Sequence, residues 1–180
     1  MKEKIMVQII VINGMPGCGK TTFEEYCLKK LAPYADMLST VTFVKEIAEK
    51  CGWNGEKTPK NRKFLSDLKD LLSEWNDVPF KKIEQRATQF SNELAMFGLN
   101  DKTAYLFVDS REPEEIQRFC DELGAISVLI RRPSVENDQT SNHADANVFN
   151  YKYDFTIMND GDIEKLHSTA DEFIKIISEN

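Results

Sequence analysis

Residues 8–25 read QIIVINGMPGCGKTTFEE: an apolar run, a break of glycine and proline, then a lysine and two threonines. The run from Ile5 to Ile12 is short and rich in β-branched residues, the pattern of a strand buried on both faces. After the break, Phe23, Tyr26, Cys27 and Leu31 recur at helical spacing until Pro33 stops them. Between strand and helix, Gly14, Gly19, Lys20 and Thr21 fill the pattern G-x-x-x-x-G-K-[ST]. Glycines let such a loop curl so that successive amides point inward at an anion, and the following helix adds the positive end of its dipole. A lysine at the sixth place after the first glycine reaches β- and γ-phosphates, and the next hydroxyl can ligate Mg²⁺. The stretch Gly14, Met15, Pro16, Gly17, Cys18, Gly19, Lys20, Thr21 and Thr22 is therefore the candidate nucleotide loop. The other reading is a glycine-rich turn with a lone lysine, which the strand before and the helix after disfavour.

The rest of the composition narrows the setting. A chain of 180 residues, 41% hydrophobic and 29% charged, suits a single folded domain over 1–180. No apolar run approaches the ~20 residues of a membrane helix, and no cleavage-site pattern follows the first one, so a cytoplasmic protein is expected. Cys18, Cys27, Cys51 and Cys120 lack metal spacing and read as small apolar fillers. Cys18 is the exception, since a thiol inside the glycine loop could be reactive. A net charge of −7 argues against binding a nucleic-acid polymer. The densest basic run, Lys57 to Lys63, fits one or two phosphates, so the expected partner is a small nucleotide, with the chain a monomer or homodimer.

Strand and helix patterns alternate down the chain. Strands are expected at 35–44, 104–108, 125–130 and 153–158, and a short helix from Val44 to Lys50. Gly52 to Asn61 reads as a loop carrying the basic run. Two helices follow, one with Phe64, Leu68, Leu71 and Trp75, the other from Pro79 with Ile83, Phe90 and Leu94. A further helix begins near Pro113 and closes at Gly124, and the last buries Leu166, Ala170, Phe173 and Ile177. Such alternation predicts a three-layer α/β/α sandwich around a mostly parallel five-stranded sheet. The segment 44–98 stands out as a helical insertion, and the polar stretch 132–150 as a lid.

The strand AYLFV at 104–108 delivers Asp109 to its C-terminal end, where open α/β sheets bind ligands. Asp109 is placed to hold Mg²⁺ together with Thr21, in the manner of a Walker-B acid; the alternative is a turn or helix-capping aspartate. Arg111 follows two residues later, and Arg131 and Arg132 end the next strand, where they could stabilise a transferring or leaving phosphate or stack on a base.

These features resemble the P-loop nucleoside and nucleotide kinases, the group that includes adenylate kinase and dephospho-CoA kinase. Three stretches are similar, more specifically, to phage-type deoxynucleoside monophosphate kinases: GWNGEKTPKNRKFL at 52–65, FVDSREPEEI at 107–116 and HADANVFNYKYDFTIMNDGDIEKL at 143–166. The resemblance implies a P-loop NTPase fold, ATP and Mg²⁺ as cofactors and phosphoryl transfer to a (deoxy)nucleoside monophosphate. Where those kinases continue with Gly-Thr and an arginine, this chain has SDLKDLLSEWNDVPFKK, and Arg86 is the nearest substitute.

A kinase needs cations on both sides of the moving group. Lys20, with Arg111 and Arg131, covers the donor and the transition state; Lys45, Lys57 and Arg62 are candidates for the acceptor phosphate. The bland reading of 57–63 is a solvated face. Trp53 either stacks on an acceptor base or anchors its loop. His143 lies in the lid stretch or on an ordinary surface loop, and His167 reads as exposed. Two other functions stay open: a different acceptor, such as a nucleoside, a coenzyme precursor or another small alcohol, and a nucleotide-dependent switch or assembly ATPase. The guanine signature Asn/Thr-Lys-x-Asp is missing, since NDGD at 159–162 has no lysine.

Overall fold

The computed structural model describes residues 5–99, 101–136 and 147–179. Five strands form one sheet: β1 (Val7–Asn13), β2 (Ala35–Ser39), β3 (Ala104–Asp109), β4 (Ile126–Arg131) and β5 (Phe155–Met158). Their order is β2-β3-β1-β4-β5 and every pairing is parallel. Parallel neighbours require crossovers, and the helices supply them. They are α1 (Lys20–Leu31), α2 (Thr42–Lys50), α3 (Pro59–Asn76), α4 (Val78–Met96), α5 (Pro113–Leu123), the single turn α6 (Pro133–Glu136) and α7 (Ile163–Glu179). Among the described residues no helix is long and apolar enough to cross a membrane.

Period-2 alternation along the central strands builds two cores. Ile10 and Ile12 of β1, with Tyr105 and Phe107 of β3, join Phe23 and Cys27 of α1 and Leu166, Ala170 and Phe173 of α7. Ile9, Val11, Leu106 and Val108 face the other way, onto Phe80 and Ile83 of α4 and Ile116 and Phe119 of α5. This parity matters for the site. Asp109 continues the face of Tyr105 and Phe107, so its side chain is on the α1 side.

The sheet positions the candidate residues by register. Ile12 pairs with Asp109, Ser39 with Asp109 and Asn13 with Leu129, so the ends of β1, β2, β3 and β4 share one rim. From β1 the chain runs to β2 on one side, while β3 leads to β4 on the other. The reversal falls at the C-terminal end of β1, the place where open α/β sheets take ligands.

Several boundaries differ from the sequence pattern, and three of them have a local cause. β2 stops at Ser39 rather than 44, because the Thr42 hydroxyl accepts from the Ser39 amide at 3.1 Å and turns the chain into α2. α3 starts at Pro59, inside the expected loop: Thr58 caps it, accepting from Asn61 N at 3.2 Å, and proline takes the first helical position. Lys60, Arg62 and Lys63 thus ride on a helix. β5 begins at Phe155, since Tyr153 turns its hydroxyl to Asn13 and Val148 instead. α3 buries none of its residues, and Leu71 and Trp75 are 62% and 79% exposed.

Candidate functional site

The glycine loop leaves β1 and closes onto α1 under three restraints. Asn13, fully buried, accepts from Gly14 N at 2.7 Å through Oδ1 and donates through Nδ2 to the Arg111 carbonyl at 3.1 Å and Tyr153 Oη at 2.8 Å. Cys18 N donates to Met15 O at 3.1 Å inside the loop. Asn159, just past β5, donates Nδ2 to Cys18 O at 2.8 Å from a buried position. Gly19 has φ 99°, a left-handed conformation, and a Cβ there would run into the Asn159 amide. A side chain at Gly14 would meet the Ile130 carbonyl and Cys18 Sγ. The glycines are therefore demanded by contacts with β4 and with the chain just after β5.

α1 starts from this loop with no side-chain cap and no acid in its first turn. Its leading amides and dipole are available to an anion. The Lys20 ammonium folds across the loop, donating to Gly14 O at 2.6 Å and Met15 O at 3.4 Å. Thr21 is exposed, and Thr22 half-buried, in the same first turn.

Asp109 faces this turn from the end of β3. Its backbone carbonyl accepts from Thr40 N at 3.2 Å and Ser39 Oγ at 3.3 Å, which pins the strand end. Its Oδ1 is buried with no hydrogen-bond partner. An orphaned carboxylate oxygen on the sheet face that α1 covers, with a threonine hydroxyl in the first turn of that helix, suits a hard cation, so the residues present fit Mg²⁺.

A second carboxylate, unremarked in the sequence, lies beneath. Glu24 is 2% exposed, sits on the apolar face of α1 between Phe23 and Cys27, and leaves Oε1 buried and unpartnered. Burial first, and then the negative charge of Asp109, push its carboxyl up to about 7, against the pull of Lys20. The sequence did hold a sign: Glu24 is one turn from Lys20 on the same helix face. Cys18 reads differently too. It is fully buried, and that burial raises its thiol pKa, so it packs as a filler and is not a reactive group.

Beside the loop lies a cavity of about 260 Å³ walled by Arg132, Pro133, Ser134, Asn159, Asp160 and Gly161. Arg132 reaches the Gly17 carbonyl from it at 3.5 Å. Arg131 is engaged by Glu136 through two bonds of 2.9 and 2.6 Å and lies over the Phe149 ring at 5.1 Å. A larger hollow of about 430 Å³ runs along α5 away from the loop; Glu114, Asp121 and Glu122 in its wall make it unwelcoming to phosphate.

The acceptor-side candidates are not gathered in the same way. Lys45 on α2, Lys57 in the loop and Arg62 on α3 are exposed, and no hydrogen bond or ion pair joins them to the glycine loop among the described residues. Trp53 is tied to its own segment, its amide donating to Ala48 O at 2.9 Å and Nε1 to Glu56 O at 3.3 Å. Arg86 is held by Asp36 at 2.6 Å and by Glu93 at 2.8 and 3.1 Å, so it serves as a clamp between β2 and α4. His143 and most of the expected lid lie outside the described residues. His167, half-buried, stacks on Tyr26 at 4.0 Å.

Comparison with solved structures agrees with this architecture. Dephospho-CoA kinase from Campylobacter jejuni matches with a TM-score of 0.56 at 18% identity, over 97% of this chain and 100% of its own. Proteins from Chloroflexus aurantiacus (TM-score 0.49, 12% identity, 96% and 98% covered) and Thermus thermophilus (TT1252; 0.43, 16%, 96% and 98%) are looser likenesses. No family model matches the sequence, and no curated protein matches it. The chain has an α/β fold, a five-stranded all-parallel sheet flanked by helices, similar to that of dephospho-CoA kinase.

Proposed function

We propose that this chain is an ATP-dependent phosphotransferase whose acceptor is a small nucleotide, a nucleoside or deoxynucleoside monophosphate. The observation that carries the reading is the meeting, at one rim, of a closed glycine loop, the Lys20 ammonium and the orphaned Asp109 oxygen. The loop amides from Gly14 to Thr22 and the α1 dipole hold the β- and γ-phosphates, and Lys20 leaves its carbonyl partners to reach them. Mg²⁺, held by Thr21 and Asp109, neutralises phosphate charge when bound. Arg111 and Arg131 meet the charge that develops during transfer, Arg131 exchanging Glu136 for substrate oxygens. The cavity under Arg132 and Asn159 takes the adenine edge. Lys45, Lys57 and Arg62 receive the acceptor phosphate, with Trp53 beside its base. No covalent intermediate on the protein is required, since the chemistry is positioning and charge stabilisation.

A second acceptor class is favoured by the structural likeness to dephospho-CoA kinase: the free hydroxyl of a coenzyme precursor. One experiment separates the readings. ADP release from Mg·ATP is measured against ribo- and deoxynucleoside monophosphates and dephospho-CoA, with Lys20→Ala as control. Release that depends on a monophosphate and disappears in the variant supports the proposal. Stimulation by dephospho-CoA alone moves the acceptor class, and tight ATP binding with no acceptor overturns the kinase reading in favour of a switch.

A further inference from the structure

Among the described residues, two buried side-chain oxygens lack any hydrogen-bond partner, and both belong to carboxylates: Asp109 Oδ1 and Glu24 Oε1. Native structures satisfy nearly all such atoms, so a pair of exceptions on one side of one sheet asks for a common cause. Sheet parity puts the Asp109 side chain on the α1 face with Tyr105 and Phe107. Helix geometry tilts the Glu24 side chain toward the start of α1, where Lys20 and Thr21 are. The two carboxylates are close enough for the charge of one to act on the other.

The local cation does not settle this charge. Lys20 gives its hydrogen bonds to Gly14 O and Met15 O, and neither carboxylate takes a hydrogen bond from it. Glu24, deeply buried, and Asp109, half-buried with one oxygen sealed in, are thus two carboxylates whose orphaned oxygens Lys20 does not satisfy. Both orphaned oxygens and the Thr21 hydroxyl are hard donors. One or two carboxylates with the remaining positions left to water is the usual way to hold Mg²⁺.

We propose that Glu24 is a direct ligand of a divalent cation, Mg²⁺ or Mn²⁺, which the protein binds between Glu24, Asp109 and Thr21 before any nucleotide arrives. The inference rests on the kinase reading only for what the cation does afterwards. With the ion already seated, nucleotide phosphates meet a fixed positive charge as well as the loop, and affinity for free ATP depends on the metal.

The test is Mn²⁺ binding to the full, nucleotide-free chain, followed by electron paramagnetic resonance and by thermal shift. Wild type should take up one Mn²⁺ per chain, displaced by Mg²⁺, with a rise in Tm. Glu24→Gln, which removes charge and keeps shape, should weaken binding at least about tenfold and abolish the shift. Glu24→Asp keeps the charge but draws it back by one methylene, so it should bind more weakly than wild type and more tightly than the glutamine variant; its difference from wild type answers the question if Glu24→Gln does not fold. Lys20→Ala should bind as well as wild type or better. Equal Mn²⁺ affinity in wild type and either Glu24 variant overturns the proposal, as does the absence of a wild-type site. Acceptor-dependent ADP release without that site would overturn the cation inference and leave the kinase reading standing. A Mn²⁺ site without phosphoryl transfer would do the reverse.

Discussion

The glycine loop and the α2–α3 region both carry cations, and the two regions are held in opposite ways. Around the loop, Asn13 and Asn159 bind it from two strand ends, and its glycines pack against β4 and the residue after β5. In α2–α3, Lys45, Lys57 and Arg62 stand in solvent, and α3 buries no side chain at all. A phosphate-holding loop works only if its amides converge beforehand, whereas an acceptor pocket can be completed by the ligand itself. The contrast is between a preformed half and a half standing in solvent, which the proposed acceptor would have to complete.

Breaking the preformed half should produce the largest effect. Lys20→Ala should lower acceptor-dependent ADP release by about 10²–10³-fold with little change in Tm, as read by coupled-assay kinetics and circular dichroism. An unchanged rate would mean that the loop is structural.

A titration tests the burial of Glu24. Its carboxyl is raised from 4.5 to about 7 by burial and by Asp109, opposed by Lys20, with Glu25 adding slightly. The folded state therefore holds a proton that the unfolded chain releases, and that stabilisation is full below about 4.5 and lost as pH rises through about 7. Chelator-treated protein should lose up to about 3 kcal/mol across that window relative to Glu24→Gln, measured by urea unfolding at pH 5 and pH 8. Parallel curves for the two proteins would show that Glu24 is solvated.

Asn159→Ala should be next, at about 1–3 kcal/mol, because it leaves the Cys18 carbonyl buried without a donor. The same variant should weaken ATP binding, since the loop loses its clasp; urea unfolding would read the first change and isothermal titration the second. Smallest is Arg62→Ala. It should raise KM for the acceptor about tenfold, leave KM for ATP alone, and shift stability by no more than about 0.5 kcal/mol. Equal change in both KM values would erase the proposed division between the halves.

The glycine loop and its place between strand and helix were legible in the sequence because their signals are local. The strand, the glycine spacing, Lys20 and Thr21 fall within a single βα turn, and Asp109 ends an apolar run of ordinary pattern. The start of α3 was also written locally, in Thr58-Pro59, but the basic residues around it drew the eye to a loop. What escaped depends on distant partners. Nothing near Arg86 shows that Asp36 and Glu93 will claim it, and nothing near Asn159 points to Cys18. Glu24 escaped for another reason: a glutamate on a helix is usually solvated, and its place one turn from Lys20 says nothing of the packing that buries it.

The bond from Asn159 to Cys18 also sets a schedule. The two residues are 141 positions apart. A ribosome adding roughly 5–20 residues per second would need about 7–30 s to cover that distance. Through that interval the growing chain carries its glycine loop without the amide that clasps it, and Gly19 has nothing yet to press against. The site is spelled out in one short stretch of chain and takes shape only once another, 141 residues later, has been made.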